Sequence, residues 1–274
     1  MKLQKGKGFI MRKTEVGEGD VILDTFLLDP ESFYYSRRKL KIFGILKSKK
    51  RNPVVVEIGN YISVSYYYKE ALEICNIKEI DLIERFNEIK KKYETFYSFS
   101  KLIQITNTVA VSDKDLEEIY KLFYFAIYFL ENYLKTPNLE IQTILTSLNL
   151  NFWDLFFLFY VIRLLKIIGY VGDLNHCSNC NQPIIKKAKW QEKMYFFCSV
   201  CDFTANQIDF FYKQMILLIL QNKFIDFLYK LKEIVDSTSE KNQEFYLSQF
   251  LEPMKKKINS ILNDLLENPI NLFF

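Results

Sequence analysis

The stretch Cys177-Ser178-Asn179-Cys180, followed after seventeen residues by Cys198-Ser199-Val200-Cys201, decides how the second half of the chain folds. Each Cys-x-x-Cys turn places two thiols on one side of a tight loop, and two such turns supply four soft ligands for a tetrahedral metal ion. The spacing is typical of a zinc ribbon. Four protein ligands leave no open position, so we expect one structural Zn²⁺ per chain that stabilises a small lobe. Two disulfides or four unpaired thiols are the alternatives.

The remaining composition indicates a soluble protein. The chain has 274 residues, 49% of them hydrophobic, which suffices for about two domains with a sizeable core. His176, the only histidine, is expected at the surface, and Cys75 is expected as a small buried side chain in a reducing compartment. The most apolar segment, residues 155–168, contains Arg163 and Lys166, and residues 1–12 do not form a signal peptide. We therefore expect a cytoplasmic protein with no membrane partner.

Five short segments within the first seventy residues have the apolar alternation of β-strands: residues 8–16, 21–28, 39–42, 54–58 and 61–68. Gly17-Glu18-Gly19-Asp20 predicts a turn between the first two strands, and Gly59-Asn60 predicts a tight hairpin between the last two. In residues 39–42 lysines alternate with aliphatic residues, so the lysines should share one face. Five strands predict a nucleic-acid-binding barrel of OB type over residues 1–77.

From about residue 77 the apolar residues recur at helical spacing. Helices are predicted from there onward and over residues 112–134, 137–148, 151–168, 207–234 and 243–266, the last starting or bending at Pro253. Residues 151–168 are apolar on nearly every side and should form the core helix. The fold class is therefore α+β: an N-terminal five-stranded OB-type β-barrel, then an all-α domain over residues 78–274 that carries the four-cysteine zinc-ribbon insertion at about 171–206.

Positive charge is concentrated in one segment. Residues 32–56 contain eight basic and no acidic residues, whereas the rest of the chain has 29 basic and 33 acidic residues. The eight candidate nucleic-acid-binding residues are Arg37, Arg38, Lys39, Lys41, Lys47, Lys49, Lys50 and Arg51. A solvated face is the ordinary interpretation of a charge run, but such a concentration on a predicted barrel favours binding to a polyanion. Lys255-Lys256-Lys257 is interpreted as a solvated helix face.

Aromatic residues near this basic segment are candidates for stacking on unpaired bases, as in OB-type surfaces. They are Tyr34, Tyr35, Phe43, Tyr66, Tyr67 and Tyr68. Because side chains alternate along a strand, about half of them should face inward.

The order of these elements resembles that of the RecO family of bacterial recombination mediators. Gly8-Phe9-Ile10-Met11-Arg12 resembles the family's opening hairpin, and Gly44-Ile45-Leu46-Lys47-Ser48-Lys49-Lys50-Arg51 resembles its basic segment after the third strand. Ile168-Gly169-Tyr170, followed by Asp173-Leu174 and the first cysteine pair, resembles the helix end before the family's zinc knuckle and is the most specific match. The chain departs from the family pattern at Asn181, where a glycine is usual.

The resemblance implies a DNA repair protein. RecO proteins bind single- and double-stranded DNA, anneal complementary strands coated with single-strand-binding protein and, with RecR, help to load RecA. Their helical domain holds the C-terminal tail of single-strand-binding protein in an apolar groove. The implied partners are therefore DNA, RecR and that tail, with RecA as an indirect partner, in the bacterial cytoplasm at the nucleoid.

None of these steps needs covalent chemistry. The sequence has neither a GxxxxGK[ST] phosphate loop nor an HExxH motif, so we expect no catalytic residues and no enzymatic activity. A second hypothesis is a zinc-ribbon protein that binds RNA or docks to the transcription or translation machinery, which salt-sensitive binding to RNA but not DNA would favour. A third is an enzyme with an unrecognised site. Neither explains the order of barrel, helices and knuckle.

Overall fold

The computed structural model of the protein describes residues 2–49, 52–109, 112–191, 193–237 and 243–265, without the side chains of residues 243–250. The chain divides into two compact units, Met1–Lys135 and Thr136–Phe274. The domain boundary that we placed after residue 77 lies inside a strand, Ile74–Glu84. The first unit therefore contains the whole barrel and the helices that follow it.

Five strands form a closed barrel in the first unit. They are β1 (Lys2–Val16), β2 (Asp20–Leu28), β3 (Tyr35–Ile42), β4 (Tyr61–Tyr68) and β5 (Ile74–Glu84). The order around the barrel is β1-β2-β3-β5-β4, with β4 antiparallel to β1 and β3 parallel to β5. This five-stranded barrel, followed by a helical region, confirms the predicted fold class.

The alternation of side chains on β3 follows the prediction. Leu40 and Ile42 are buried inside the barrel, whereas Lys39 and Lys41 lie on the outer face. The predicted hairpin is also present, because β1 and β2 pair from Lys7–Leu28 to Val16–Asp20 around the glycine turn. The pleat of a strand separates the two faces, so β3 presents its cations outward.

The predicted strand over residues 54–58 is wrong. Pro53–Val56 forms a short 3₁₀ helix, because Pro53 fixes the backbone at its first position and the Asn52 side chain accepts a hydrogen bond from the N–H of Val54. Gly59-Asn60 therefore joins no hairpin. Instead, the buried Asn60 amide donates to the carbonyls of Val54 and Val55 at 2.7 and 3.3 Å.

After the barrel, the described part of the first unit contains three α-helices: α1 (Asn87–Lys91), α2 (Tyr93–Thr108) and α3 (Leu116–Lys135), the last preceded by a 3₁₀ turn at Asp113–Asp115. The predicted helix from residue 77 is wrong up to Glu84, since that segment is β5. Phe9 joins the barrel to the helices, with its ring 4.9 Å from Phe123 and 6.0 Å from Phe86 between centroids. The helices thus bury the outer side of β1.

In the second unit the described residues form five further helices and a short hairpin. They are α4 (Leu139–Ser147), α5 (Phe152–Ile167), α6 (Gln207–Gln221), α7 (Phe224–Asp236) and α8 (Gln243–Leu265), with β6 (Ala188–Trp190) and β7 (Phe196–Cys198) between α5 and α6. The segment predicted as one helix over residues 207–234 is two, because Asn222 is extended. Pro253 lies inside α8. Every helix in the described ranges is too short or too polar to span a bilayer.

The core of the second unit is α5, as predicted. Nearly every residue between Asp154 and Leu165 is buried. Gly169, with φ of +80°, ends the helix, and the N–H of Tyr170 donates to the Leu165 carbonyl at 2.8 Å. This reversal directs the chain into the cysteine lobe.

The interpretation of residues 255–257 as a solvated face is wrong for Lys255. This lysine is only 7% exposed and forms ion pairs with Asp154 on α5 and with Glu252 at 2.7 Å. A buried ammonium needs such partners, so Lys255 fastens α8 to α5 rather than extending a basic surface.

Candidate metal centre and nucleic-acid interface

The four cysteines converge in the lobe between α5 and α6. Cys177 and Cys180 lie in the turn before the hairpin, Cys198 ends β7, and Cys201 follows in the next turn. All four sulfur atoms lie within 4.8 Å of one another, and those of Cys180 and Cys198 are 3.6 Å apart. In a tetrahedral site with metal–sulfur bonds of about 2.3 Å, the sulfur atoms are separated by about 3.8 Å. The cysteines are therefore close enough to bind a metal ion.

Backbone hydrogen bonds hold the first knuckle against the hairpin. The N–H of Ser178 donates to the carbonyl of Phe196 on β7 at 2.9 Å, and the N–H of Asn181 donates to the carbonyl of Cys177 at 2.9 Å. Asn181 has φ of +56°, a left-handed conformation that asparagine tolerates better than most residues. The asparagine at this position therefore supports the same turn that the family's usual glycine would.

The thiols differ in acidity because their surroundings differ. Burial raises the pKa of Cys177, but N–H groups of Cys180, Cys198 and Asn179 hydrogen-bond to its sulfur and bring its pKa down to about 6. The pKa of Cys201 is raised to about 12, mainly by its hydrogen bond with Cys180 and then by burial. Backbone donors thus already favour an anionic sulfur at Cys177, the form in which cysteine binds a metal.

His176 lies beside this cluster without joining it. Its Nδ1 lies 2.8 Å from a carboxylate oxygen of Asp173, and its side chain is 43% exposed. The four cysteine sulfur atoms are enough for a tetrahedral metal site, so His176 is not needed as a ligand. The predicted surface position of His176 is confirmed.

Six of the eight cations predicted to bind nucleic acid lie in the described part of the chain, whereas Lys50 and Arg51 fall outside it. Arg37 does not share the surroundings of the others. Its guanidinium donates three hydrogen bonds to the C-terminal carbonyls of α2, to Thr106 at 2.6 Å and to Asn107 and Val109 at 3.0 Å each. Sequence reasoning missed this role, because the helix that Arg37 caps lies about seventy residues away.

Arg38 is also partly withdrawn from the surface. Its guanidinium carbon lies 5.0 Å from the centre of the Tyr68 ring, and among the described residues its buried Nε has no hydrogen-bond partner. Stacking on an aromatic ring is a favourable position for a guanidinium group. Arg38 therefore packs against Tyr68 rather than standing free in solvent.

The exposed lysines have acidic neighbours that the sequence window did not contain. Lys41 lies 3.0 Å from Asp20 and Lys47 lies 2.6 Å from Glu18, while Lys39 pairs with Glu73. The hydrogen bond from the N–H of Gly44 and then the one from Lys41 lower the pKa of Asp20, so this carboxylate stays charged. Exposed ion pairs contribute only about 0–1 kcal/mol, so a phosphate group can compete with these carboxylates.

The lysines of the outer face of β3 and of the loop that follows it are grouped as the β3 face, which we define as Lys39, Lys41, Lys47 and Lys49. Lys41 Nζ lies 4.6 Å from the centre of the exposed Phe43 ring. A cation beside an exposed ring is the combination that binds single-stranded nucleic acid.

The remaining candidate aromatics divide as alternation predicts. Tyr34 and Tyr67 are exposed, whereas Tyr66 is buried in the barrel. The Tyr35 ring packs 5.1 Å from that of Tyr120 on α3. Tyr34, Phe43 and Tyr67 are therefore the candidate aromatic residues that lie exposed at the surface.

Comparison with known proteins identifies relatives but no matching family model. Proteins named "DNA repair protein RecO" from two strains of Leptospira biflexa are 26% identical to this chain over 204 residues, 73% of each protein. The protein of the same name from Acetivibrio thermocellus is 22% identical over 209 residues, 76% of this chain and 71% of the relative. These three matches, each over about three quarters of the chain, support the RecO family for this protein.

Proposed function

We propose that the protein is a DNA repair and recombination mediator that binds single- and double-stranded DNA and anneals complementary strands coated with single-strand-binding protein. Its similarity to three proteins named for DNA repair, over about three quarters of the chain, carries this proposal. In this role it helps to load RecA together with RecR, and it binds the C-terminal tail of single-strand-binding protein. It works in the cytoplasm at the nucleoid, by binding rather than by turnover.

The β3 face is the proposed DNA interface, with Lys50 and Arg51 adjacent in sequence. Lysine ammonium groups neutralise phosphates and release counterions, so the affinity should be largely independent of sequence. We leave Arg37 out of the interface because its donors already bind the α2 carbonyls. The exposed ring of Phe43 adds a stacking surface for unpaired bases.

For the lobe we propose a structural Zn²⁺ held by Cys177, Cys180, Cys198 and Cys201. Thiolates are soft ligands, and four of them in a compact cluster suit zinc. The bound ion would stabilise a lobe in which the β6–β7 hairpin, with three residue pairs, is the one regular element that the structure describes. The zinc ion would cross-link the two Cys-x-x-Cys turns and would take part in no reaction.

The DNA interface is tested by salt-dependent binding of labelled single- and double-stranded oligonucleotides. The variant combines Lys39→Gln, Lys41→Gln and Lys47→Gln. Its plot of log affinity against log salt, between about 50 and 200 mM, should become shallower by about 0.7 per lost contact for single strands and about 0.9 for duplex.

The matched control combines Lys91→Gln, Lys121→Gln and Lys135→Gln. These lysines also form ion pairs with glutamates, but they lie on helices and not on the β3 face. The control removes the same charge and should leave the salt dependence near that of the wild type. Equal weakening by both triple variants would contradict an interface on the β3 face.

A further inference from the structure

The barrel is joined between β3 and β5 over a short distance only. In the described chain the two strands pair at Lys39–Ile74, Leu40–Cys75 and Lys41–Asn76. From Ile77 to Leu82, β5 pairs with β4 alone among the described residues. Strand backbone groups point alternately to the two sides, so this stretch presents N–H and C=O groups along an edge that pair with no strand in the described part of the chain.

A cavity of about 560 Å³ opens along this edge. One wall is formed by Ile42, Ile45, Asn52 and Val55, and the other by Ile77–Leu82. The volume is within the range of ligand-binding clefts. In the described part of the chain, the seam between β3 and β5 is therefore a groove lined by both aliphatic and polar side chains, with a strand edge along one side.

The register of β5 shows that the groove reaches the barrel interior. Ile80 lies opposite Val64, and Leu82 lies opposite Ile62, both of which are buried in the core. Leu82 nevertheless remains 39% exposed. An inward-facing leucine is exposed here because no strand covers its side of the barrel in the described residues.

The charges beside the groove favour a peptide over a nucleic acid. Glu79 and Asp81 are exposed on the outer face of β5 and both contribute to the cavity wall, and Lys78, whose ammonium lies 3.9 Å from Glu79, is the one lysine among the lining residues that the structure describes. Carboxylates repel phosphates, whereas they attract lysine and arginine side chains. An unpaired strand edge adds affinity for a peptide backbone, which has matching donors and acceptors.

We propose that this seam binds an extended basic peptide segment of another protein as an additional β-strand along Ile77–Leu82. Alternate apolar side chains of the peptide enter the groove, and its basic side chains face Glu79 and Asp81. About six peptide residues are needed to cover the edge at about 3.3 Å per residue. This interaction is separate from DNA binding on the β3 face.

The test begins with a displayed library of random peptides selected on the full-length protein. Binding of the recovered peptides is then measured against Leu82→Arg, which places a bulky cation in the groove. The control is Ile83→Arg, which alters a similarly exposed aliphatic residue of the same strand that does not line the cavity. We expect Leu82→Arg to weaken binding at least about tenfold and Ile83→Arg to leave it within about twofold.

A second measurement uses the peptide backbone and needs no protein variant. Methylation of every second peptide nitrogen should abolish binding in one register and leave it nearly unchanged in the other, because only alternate N–H groups face β5. Bound peptide should also slow hydrogen exchange of the β5 amides.

Four results would overturn the proposal: recovery of no peptide, insensitivity to the methylation register, equal weakening by Ile83→Arg, or displacement of the peptide by an oligonucleotide. The last result would make the seam part of the DNA interface. Loss of DNA binding by the β3-face variant would leave the peptide result unaffected, so the two proposals fail separately.

Discussion

Replacing Arg37 by methionine should destabilise the first unit without removing a DNA contact. The side chain donates to three carbonyls at the end of α2, and its guanidinium carbon lies 5.4 Å from the centre of the Phe26 ring. A net contribution of about 1.5–3 kcal/mol is typical of one hydrogen bond to a charged group, and a cation at a helix C-terminus adds about 0.3–1 kcal/mol. Because these bonds share one half-buried group and are not additive, we expect a loss of about 2–4 kcal/mol.

Hydrogen exchange measured by mass spectrometry on α2 and β3 is the suitable assay, since both tryptophans, Trp153 and Trp190, lie in the second unit and do not report on the barrel. Arg37→Lys should give an intermediate loss, because a lysine keeps the charge but not the forked geometry. The control Lys47→Met removes an exposed ion pair with Glu18 and should cost about 0.5 kcal/mol or less. Unchanged exchange in Arg37→Met, together with a large loss of DNA affinity, would refute the capping role.

Three further outcomes follow from the packing and electrostatics. Cys198→Ser should reduce bound metal well below one ion per chain by elemental analysis, whereas Cys75→Ser should retain it; full metal content in the Cys198 variant would contradict the four-sulfur site. Burial lowers the pKa of Lys90 to about 8, below its unfolded value of 10.5, so the unfolded state binds more protons between these values and stability should rise with pH there. The free energy of unfolding of the wild type should therefore increase relative to Lys90→Met by up to about 3 kcal/mol from pH 8 to 10.5, and a flat difference would argue against a buried ammonium. Lys255→Met should cost about 3–5 kcal/mol in urea unfolding by leaving the Asp154 charge buried, and the double variant with Asp154→Leu should recover most of that loss; no recovery would contradict the pair.

Local patterns were sufficient for several elements of the fold. The glycines of Gly17-Glu18-Gly19-Asp20 specify the first hairpin, and the uninterrupted apolar run of α5 specifies a core helix. The cysteine spacing brings its four sulfur atoms together because each knuckle is a short-range turn. The turns of the hairpin and of each knuckle depend on contacts within a few residues, whereas the two knuckles meet through hydrogen bonds such as that from Ser178 to Phe196.

The fifth strand could not be recognised in this way. Its pairing with β4 is interrupted by register shifts between Tyr61 and Ile62 and between Ser65 and Tyr66. The two shifts leave Lys78 and Ile83 as extra residues in β5, so the inward-facing Ile77 and Ile80 are three positions apart and the extra residue Ile83 continues that spacing, which is typical of a helix. The period of the sequence therefore indicated the wrong element.

Charge counting along the chain could not resolve the candidate interface. The partners of the basic residues come from elsewhere: the α2 carbonyls for Arg37, Asp20 for Lys41 and Glu73 for Lys39. A segment that contains no acidic residues in the sequence can therefore lie beside acidic residues on the folded surface. In the folded protein Arg37 binds backbone carbonyls at the end of α2, whereas the lysines of the β3 face remain at the surface.

Annealing of two complementary oligonucleotides, each precoated with single-strand-binding protein, tests the proposed mediator function most directly. The purified zinc-loaded protein is added without ATP over a series of salt concentrations, beside the triple-glutamine variant of the β3 face and its helix-lysine control. We expect the wild type and the control to accelerate annealing at low salt, the acceleration to fade as salt rises, and the β3-face variant to lose most of it. No acceleration by the folded, zinc-loaded wild type would contradict the mediator function.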